Sequence, residues 1–254
     1  MEVSVLTFNL RTDVRGDREN YFFNRTPLIL EKIRREKPDI ICCQESTVRI
    51  SGWLRAVLTD YLVVGAGRGA DYRDEANPIC FRTDRFSLFS LGQFWLSETP
   101  DVPGTRYADQ SGCPRICTYA TLLAGDDNKP LRVYNTHLDH ISESARLLGM
   151  RRVLDKISDD SRHTDAPLVL CGDMNAEPSE KCIVEAKGFD HPRISDLTSG
   201  IMSSFHDFGR LDRQSKIDYI FSDAEQIGEC TAWTDSENGI YLSDHYPLLV
   251  KIEI

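Results

Sequence analysis

Residues 169–178, VLCGDMNAEP, run from an apolar segment directly into a carboxylate and a carboxamide two positions apart. Val169, Leu170 and Cys171 have the character of a buried strand, and Gly172, Asp173 and Asn175 are turn formers. Side chains two apart on an extended chain face the same side, so Asp173 and Asn175 are expected to converge just past the strand end. An Asp placed there can hold a water and take its proton. An Asn amide can donate to a developing oxyanion without adding negative charge. Taken alone, GDMN reads equally well as a plain turn.

The pattern recurs along the chain, and that favours the chemical reading. Asn9 ends an apolar run at 3–8, Glu45 one at 39–44 and His137 one at 131–136; Asp218 enters a run at 216–222, and Asp244 and His245 precede one at 246–252. Each polar residue stands beside a strand where a core residue would otherwise be expected. Further strands are predicted at 78–82, 86–94, 117–123 and 226–233. The first helix is predicted to start with Thr26 as N-cap and Pro27 in the first turn, carrying Ile29, Leu30 and Ile33 and stopping before Pro38. A second follows Glu45, with Ile50, Trp53, Leu54, Val57, Leu58 and Tyr61 at helical spacing. A third is capped by Ser142 and carries Leu147, Met150, Leu154 and Ile157, and a short one begins near Ser179. Many strands and few helices favour an α+β or layered α/β sandwich over a doubly wound parallel sheet.

With 254 residues, 41% of them hydrophobic, the chain can bury a sizeable core as a single domain over 1–254. No apolar run is long enough to span a bilayer, and MEVSVLTFNL lacks the plan of a secretion signal, so a cytoplasmic protein without membrane insertion is expected. Cys42, Cys43, Cys80, Cys171 and Cys182 lie in or beside apolar runs, as buried free thiols do. Cys113 and Cys117 are spaced one residue wider than a zinc knuckle, with no second pair following. A net charge of −10 argues against a broad cationic face for nucleic acid. The clearest Lys/Arg cluster, Lys32 to Lys37, ends a helix, where the dipole favours cations in any case.

The collected residues have the parts for metal-assisted phosphoryl chemistry. Oxygen donors such as Glu45, with Asn9 or Asp244, suit a hard divalent ion. Neutral Asn and protonated His stabilise charge on phosphoryl oxygens, and Asp218 is the natural partner to fix the tautomer of His245.

TFNLR (7–11), CQES (43–46), NTHLDH (135–140), CGDMNAEP (171–178), KIDYIF (216–221) and LSDHYPLLV (242–250) together resemble, in order and over nearly the whole chain, the endonuclease/exonuclease/phosphatase family, the DNase I-like superfamily. The resemblance implies a four-layer sandwich of two packed, mainly antiparallel sheets flanked by helices, and a magnesium- or manganese-dependent phosphoric ester hydrolase. It assigns Glu45 to the metal with Asn9 close by, His137 and Asn175 to the scissile phosphate, and Asp173 to the attacking water. Asp218 would support His245 at the phosphate, and Asp244 would sit near the metal or that histidine. Apurinic-site repair members show Asn-x-Asp where this chain has Asn9-Leu10-Arg11, and a Tyr segment where it has Thr136-His137-Leu138, which argues against DNA repair.

The charge balance favours a small phosphate ester as substrate, with a nuclease or a catalytically silent binding module as the competing readings. His140 and His206 read as loop histidines ahead of pocket residues, and Trp95 reads as a buried aromatic at least as readily as a stacking platform. Among Arg68, Arg73, Arg82, Arg106 and Arg115, any could hold additional phosphates, and the sequence does not choose between them.

Overall fold

The computed structural model describes residues 1–254. Its strands are β1 (Glu2–Asn9), β2 (Ile40–Gln44), β3 (Tyr61–Val64), β4 (Ile79–Arg82), β5 (Phe86–Trp95), β6 (Ile116–Ala124), β7 (Lys129–His137), β8 (Leu168–Asp173), β9 (Ser195–Asp196), β10 (Asp218–Ser222), β11 (Glu225–Gln226), β12 (Thr231–Ala232), β13 (Ser236–Glu237), β14 (Ile240–Tyr241) and β15 (Leu248–Glu253). The helices are α1 (Phe22–Glu36), α2 (Val48–Val57), α3 (Glu143–Ser161) and α4 (Lys181–Lys187).

Two sheets form, ordered β11-β15-β1-β2-β4-β3, with β12 also on β15, and β5-β6-β7-β8-β10-β9. Both are mainly antiparallel, with β1 and β2 the parallel pair in the first and β7 and β8 in the second. Parallel neighbours need a long crossover, and here α1 and α3 provide it.

Alternation along the strands sorts the apolar residues into three layers. Val3, Val5, Ile40, Cys42, Val250 and Ile252 of the first sheet meet Leu122, Leu131, Val133, Val169, Cys171 and Ile220 of the second. Leu6, Phe8, Ile41 and Cys43 face the other way, onto Ile29, Ile33, Ile50 and Leu54 of the helices. Tyr134, Leu168, Leu170, Tyr219 and Phe221 pack on Met150, Val153, Ile157 and Ile183. The same parity governs the polar strand ends. Asn9 extends the inward row of Val3 and Val5, His137 that of Leu131 and Val133, Asp173 that of Val169 and Cys171, and Asp218 that of Ile220. At the transition, Gln44 donates to Thr7 Oγ1 at 3.2 Å and to Asn135 Oδ1 at 2.8 Å, joining the sheets through buried neutral groups before the charged ones begin. Cys42, Cys43, Cys80, Cys171 and Cys182 are buried free thiols, as their settings imply.

Gly172 is required by packing: a Cβ there would stand 2.0 Å from the carbonyl oxygen of Thr136 on β7. Gly172→Ala must therefore push β7 and β8 apart. It should lower stability by at least about 2 kcal/mol, the scale of backbone-level strain in a core, read as a shift in the denaturant midpoint.

Several local expectations are corrected. Thr26 is not the N-cap: α1 starts at Phe22, and Pro27 lies inside it. Pro27 has no N–H for the Phe23 carbonyl, and the Thr26 hydroxyl donates to that oxygen instead at 3.0 Å, so the helix tolerates the proline. The periodicity after Glu45 overran the second helix. Leu58 caps α2, and Tyr61 opens β3, because the chain turns back to pair with β4. The strand expected at 226–233 is two short pieces, β11 and β12, each pairing with β15. No helix is long and apolar enough to cross a membrane.

Candidate active site

Asp218 pairs in register with Asp173, and Asp173 with His137, so β10, β8 and β7 deliver a straight row of three polar side chains at one end of the second sheet. Asn9 ends β1 across the sandwich, with Glu45 just beyond β2. Asp244 and His245 arrive on the segment leading into β15.

Asn9 joins the two sheets. Its amide donates to Glu45 Oε1 at 3.1 Å and to Asp173 Oδ2 at 2.9 Å, and its own oxygen accepts the Arg11 N–H at 2.9 Å, which fixes the orientation of the amide. Glu45 Oε2 accepts the Thr12 N–H at 2.9 Å. The His245 Nδ1–Asp218 Oδ2 contact is 2.8 Å, and His245 Nε2 lies 3.8 Å from Asp173 Oδ2. Asn175 donates through Nδ2 to Leu138 O at 3.0 Å and to His137 Nε2 at 2.9 Å, so Nε2 is the bare nitrogen of that ring. Asp173 and Asn175 do meet at one site, but not by extended alternation. Asn175 is left-handed at φ 47°, and its N–H donates to Asp173 Oδ1 at 2.9 Å, a turn closed on the carboxylate. Arg11, Glu45 and Asp207 are left-handed as well, so backbone strain gathers around this site.

The two histidines carry opposite charge states. Burial would lower His245, but Asp218, followed by Asp173 and Asp244, outweighs it and pushes the imidazole up to about 10. His137 is held well below the ordinary value by burial, then by Arg115 and Arg68. His245 thus favours the protonated form and His137 the neutral one, with Asp173 Oδ2 3.4 Å from His137 Nε2. Burial, then the charge of Asp218, pushes Asp173 up to about 7. Glu45 is lowered despite burial by the Thr12 N–H, His245, Asn9 and Arg11, and Asp244 is raised by burial.

These groups line a cavity of about 400 Å3, with Glu45, His137, Asp173, Asn175, Asp244 and His245 on its surface. A larger hollow of about 590 Å3 at Arg132, Asp165, Asp190 and Asp223 contains none of them. Perturbed, convergent groups mark the smaller one as the site.

A divalent ion fits the donor set. The ligand atoms of Glu45, His137 and Asp173 lie within 4.8 Å of one another, as do those of Asp173, Asp218 and His245. The carboxylates are hard oxygens, and Asp173, raised by burial and then by the charge of Asp218, belongs to both groups, a setting that a cation relieves. Asp244 stands outside both groups. Its Oδ2 lies 3.6 Å from Arg11 Nε, an arginine on the cavity wall that the sequence reading passed over.

Of the five candidate arginines only Arg68 and Arg115 border the cavity. Arg82 pairs with Asp84 and Asp39, and Arg73 and Arg106 are exposed. His140 is on the cavity rim. His206 is a buried loop histidine, stacked 3.9 Å from Tyr246 with Nδ1 accepting the Gly209 N–H. Trp95 is buried and donates to the Arg68 carbonyl at 2.6 Å, positioning the loop rather than facing the cavity.

A further group escaped the sequence reading. Arg25 is fully buried and donates to the carbonyls of Asn20, Leu242, Leu10 and Arg11 at 2.7, 2.6, 2.8 and 3.1 Å, clamping the segments that carry Asn9 and Asp244. The sequence reading started the first helix at Thr26 and so left Arg25 ahead of it, whereas α1 begins at Phe22 and carries it.

The chain, a sandwich of two mixed sheets with such a cluster at one end, belongs to the Endonuclease/Exonuclease/phosphatase family, whose model matches residues 6–245. It is similar to the endonuclease/exonuclease/phosphatase from Bacteroides vulgatus, at 28% identity and TM-score 0.92, covering 100% of this chain and 99% of that one. It is also similar to the mannosyl-6-phosphatase of Bacteroides thetaiotaomicron, at 25% identity and TM-score 0.87, covering 99% and 100%. An uncharacterized protein of Acanthamoeba polyphaga mimivirus is 24% identical over 252 residues, 91% of each chain.

Proposed function

We propose that the protein is a divalent-metal-dependent phosphoesterase that cleaves a small phosphate ester in this cavity, as one catalytic unit over residues 1–254. The observation that carries the reading is the in-register row Asp218, Asp173, His137 facing Asn9 and Glu45 across the sandwich. Whole-length likeness to a mannosyl-6-phosphatase supports a hydroxylated leaving group such as a sugar.

Glu45, with Asn9 beside it, would hold magnesium or manganese, and Asp173 and His137 are near enough to share it. When bound, the ion withdraws charge from the phosphoryl oxygens and screens the crowded carboxylates. Asp173 positions the attacking water and accepts its proton, a role suited to a carboxylate raised to about 7 and anchored by Asn9 and Asn175. His245, held protonated by Asp218, donates to a phosphoryl oxygen as charge builds. Asn175 donates to the same group, a phosphoryl oxygen replacing His137 Nε2 as acceptor of one amide hydrogen, and the bare Nε2 of neutral His137 is then free to serve the ion as a lone-pair donor.

Hydrolysis of p-nitrophenyl phosphate and bis-p-nitrophenyl phosphate, with chelator and with magnesium or manganese restored, tests the reading. Activity should vanish on chelation and return with the metal, and full activity after exhaustive chelation would sink it. Comparing small esters with DNA and RNA oligomers between about 20 and 200 mM salt tests the substrate class. A small-ester enzyme should prefer the esters, and their turnover should change little with salt. Oligomers cut far faster, with a steep loss on adding salt, would make the protein a nuclease.

A further inference from the structure

The cavity wall beside His137 carries a positive charge that the protein does not fully satisfy. Arg115 immediately precedes β6, and its side chain is 5% exposed. Its Nη2 meets His140 Nδ1 at 2.8 Å, whereas Nε and Nη1 have no hydrogen-bond acceptor. Asp139 lies 3.8 Å from Nε but is already occupied by the Ser111 N–H and hydroxyl and by the N–H groups of Ile141 and Ser142. Glu75, the other acid on this wall, closes on Arg68 Nη1 at 2.8 Å. A guanidinium buried with idle donors is costly unless an anion completes it.

Its place in the sheet says where that anion would lie. Cys117 is opposite Thr136, so Arg115 sits just past the level of His137 on the adjoining strand. Its backbone is one strand spacing, about 4.8 Å, beyond that of β7, and two spacings, about 10 Å, from that of β8, which carries Asp173. Because β7 lies between β6 and β8, an anion held by Arg115 is offset toward the far side of His137 from Asp173, within the same cavity. It is close enough to belong to the same small molecule.

We infer that Arg115, with Arg68 and His140, forms an oxyanion subsite for a second anionic group of the substrate, a phosphate or carboxylate on the alcohol side of the scissile ester. The planar guanidinium suits two-point contact with either group. The inference rests on the phosphoester reading of the neighbouring centre. It also separates Arg115 and Arg68 from the other loop arginines, which lie elsewhere on the surface.

Three probes on one carbon scaffold supply the test: glucose 6-phosphate, glucose 1,6-bisphosphate and 6-phosphogluconate. The readouts are kcat/KM with magnesium and, in the Asp173→Asn background, Kd by titration calorimetry. Wild-type protein should favour at least one of the doubly anionic sugars over glucose 6-phosphate by roughly 10- to 100-fold, the range for charge-assisted hydrogen bonds. Preference for the bisphosphate identifies a phosphate as the second group, and preference for the gluconate a carboxylate. Arg115→Met should bring the ratio close to one, and Arg115→Lys should retain part of it. A wild-type ratio near one overturns the inference whether or not Arg115→Met folds, as does an Arg115→Met protein that loses equally on all three. If p-nitrophenyl phosphate is not hydrolysed, the phosphoester reading falls, while the calorimetric ratio still decides the subsite.

Discussion

Asp173→Asn should lower turnover at least about 100-fold, the lower range for removing a positioned acid or base, while the fold survives. Asp173 accepts from two donors, the Asn9 side chain on Oδ2 and the Asn175 N–H on Oδ1, at 2.9 Å each, and the amide's single oxygen can keep only one of these bonds while its NH2 faces the other donor. The amide cannot accept a proton from water. In metal-free protein the lost bond is offset in part by the lost charge. A carboxyl whose pKa rises from 3.8 to about 7 on folding contributes stability below the lower value and loses it as pH climbs through the higher one. At pH 8 the wild type carries that penalty and the amide does not, so the melting temperature of Asp173→Asn relative to wild type should rise between pH 5 and pH 8. His245→Ala should cost comparable turnover but also destabilise, because it strips the partner at 2.8 Å from Asp218, a carboxylate 2% exposed. Near-normal rates in either variant, with folding confirmed by circular dichroism, would show that the proton-handling groups lie elsewhere.

Arg25→Met should destabilise the protein by about 3–5 kcal/mol, the scale for breaking a buried charged network. Methionine fills a similar volume and donates nothing, which leaves the carbonyls of Leu10, Arg11, Asn20 and Leu242 without this guanidinium. Each buried acceptor left unpaired costs about 1–3 kcal/mol before relaxation. Burial lowers Arg25 to about 10, and the charges of Asp244, Asp17 and Glu45 work against that, so it remains a cation at neutral pH. The damage should extend to the site, since the clamped carbonyls adjoin Asn9 and Asp244. Chemical denaturation would show the loss in midpoint, and an unchanged midpoint would mean that water replaces the guanidinium without penalty.

The strand ends were legible in the sequence for a physical reason. Side-chain alternation with period two is set by the covalent geometry of an extended chain, so apolar rows ending in Asn9, His137 and Asp173 announce which face those groups share. The resemblance to the family supplied the layering, which the two sheets bear out. Local signals failed where distant partners decided the outcome. Pro27 reads as a helix start only if nothing else can meet the Phe23 carbonyl, and Thr26 does meet it.

What the sequence determined by itself was the chemical inventory and its placement: carboxylates, amides and imidazoles at the ends of buried strands. The tertiary structure decided the adjacencies, placing β8 between β7 and β10 and thus Asp173 between a neutral His137 and an aspartate paired with a charged His245. Two histidines of identical covalent chemistry take opposite charge states because desolvation and Coulomb energy depend on neighbours, and those neighbours come from distant parts of the chain. Burial singles out Arg25 and Arg115 from the other arginines in the same way: the side chains are alike, and only their surroundings in the folded protein make one a clamp and leave the other with donors to spare.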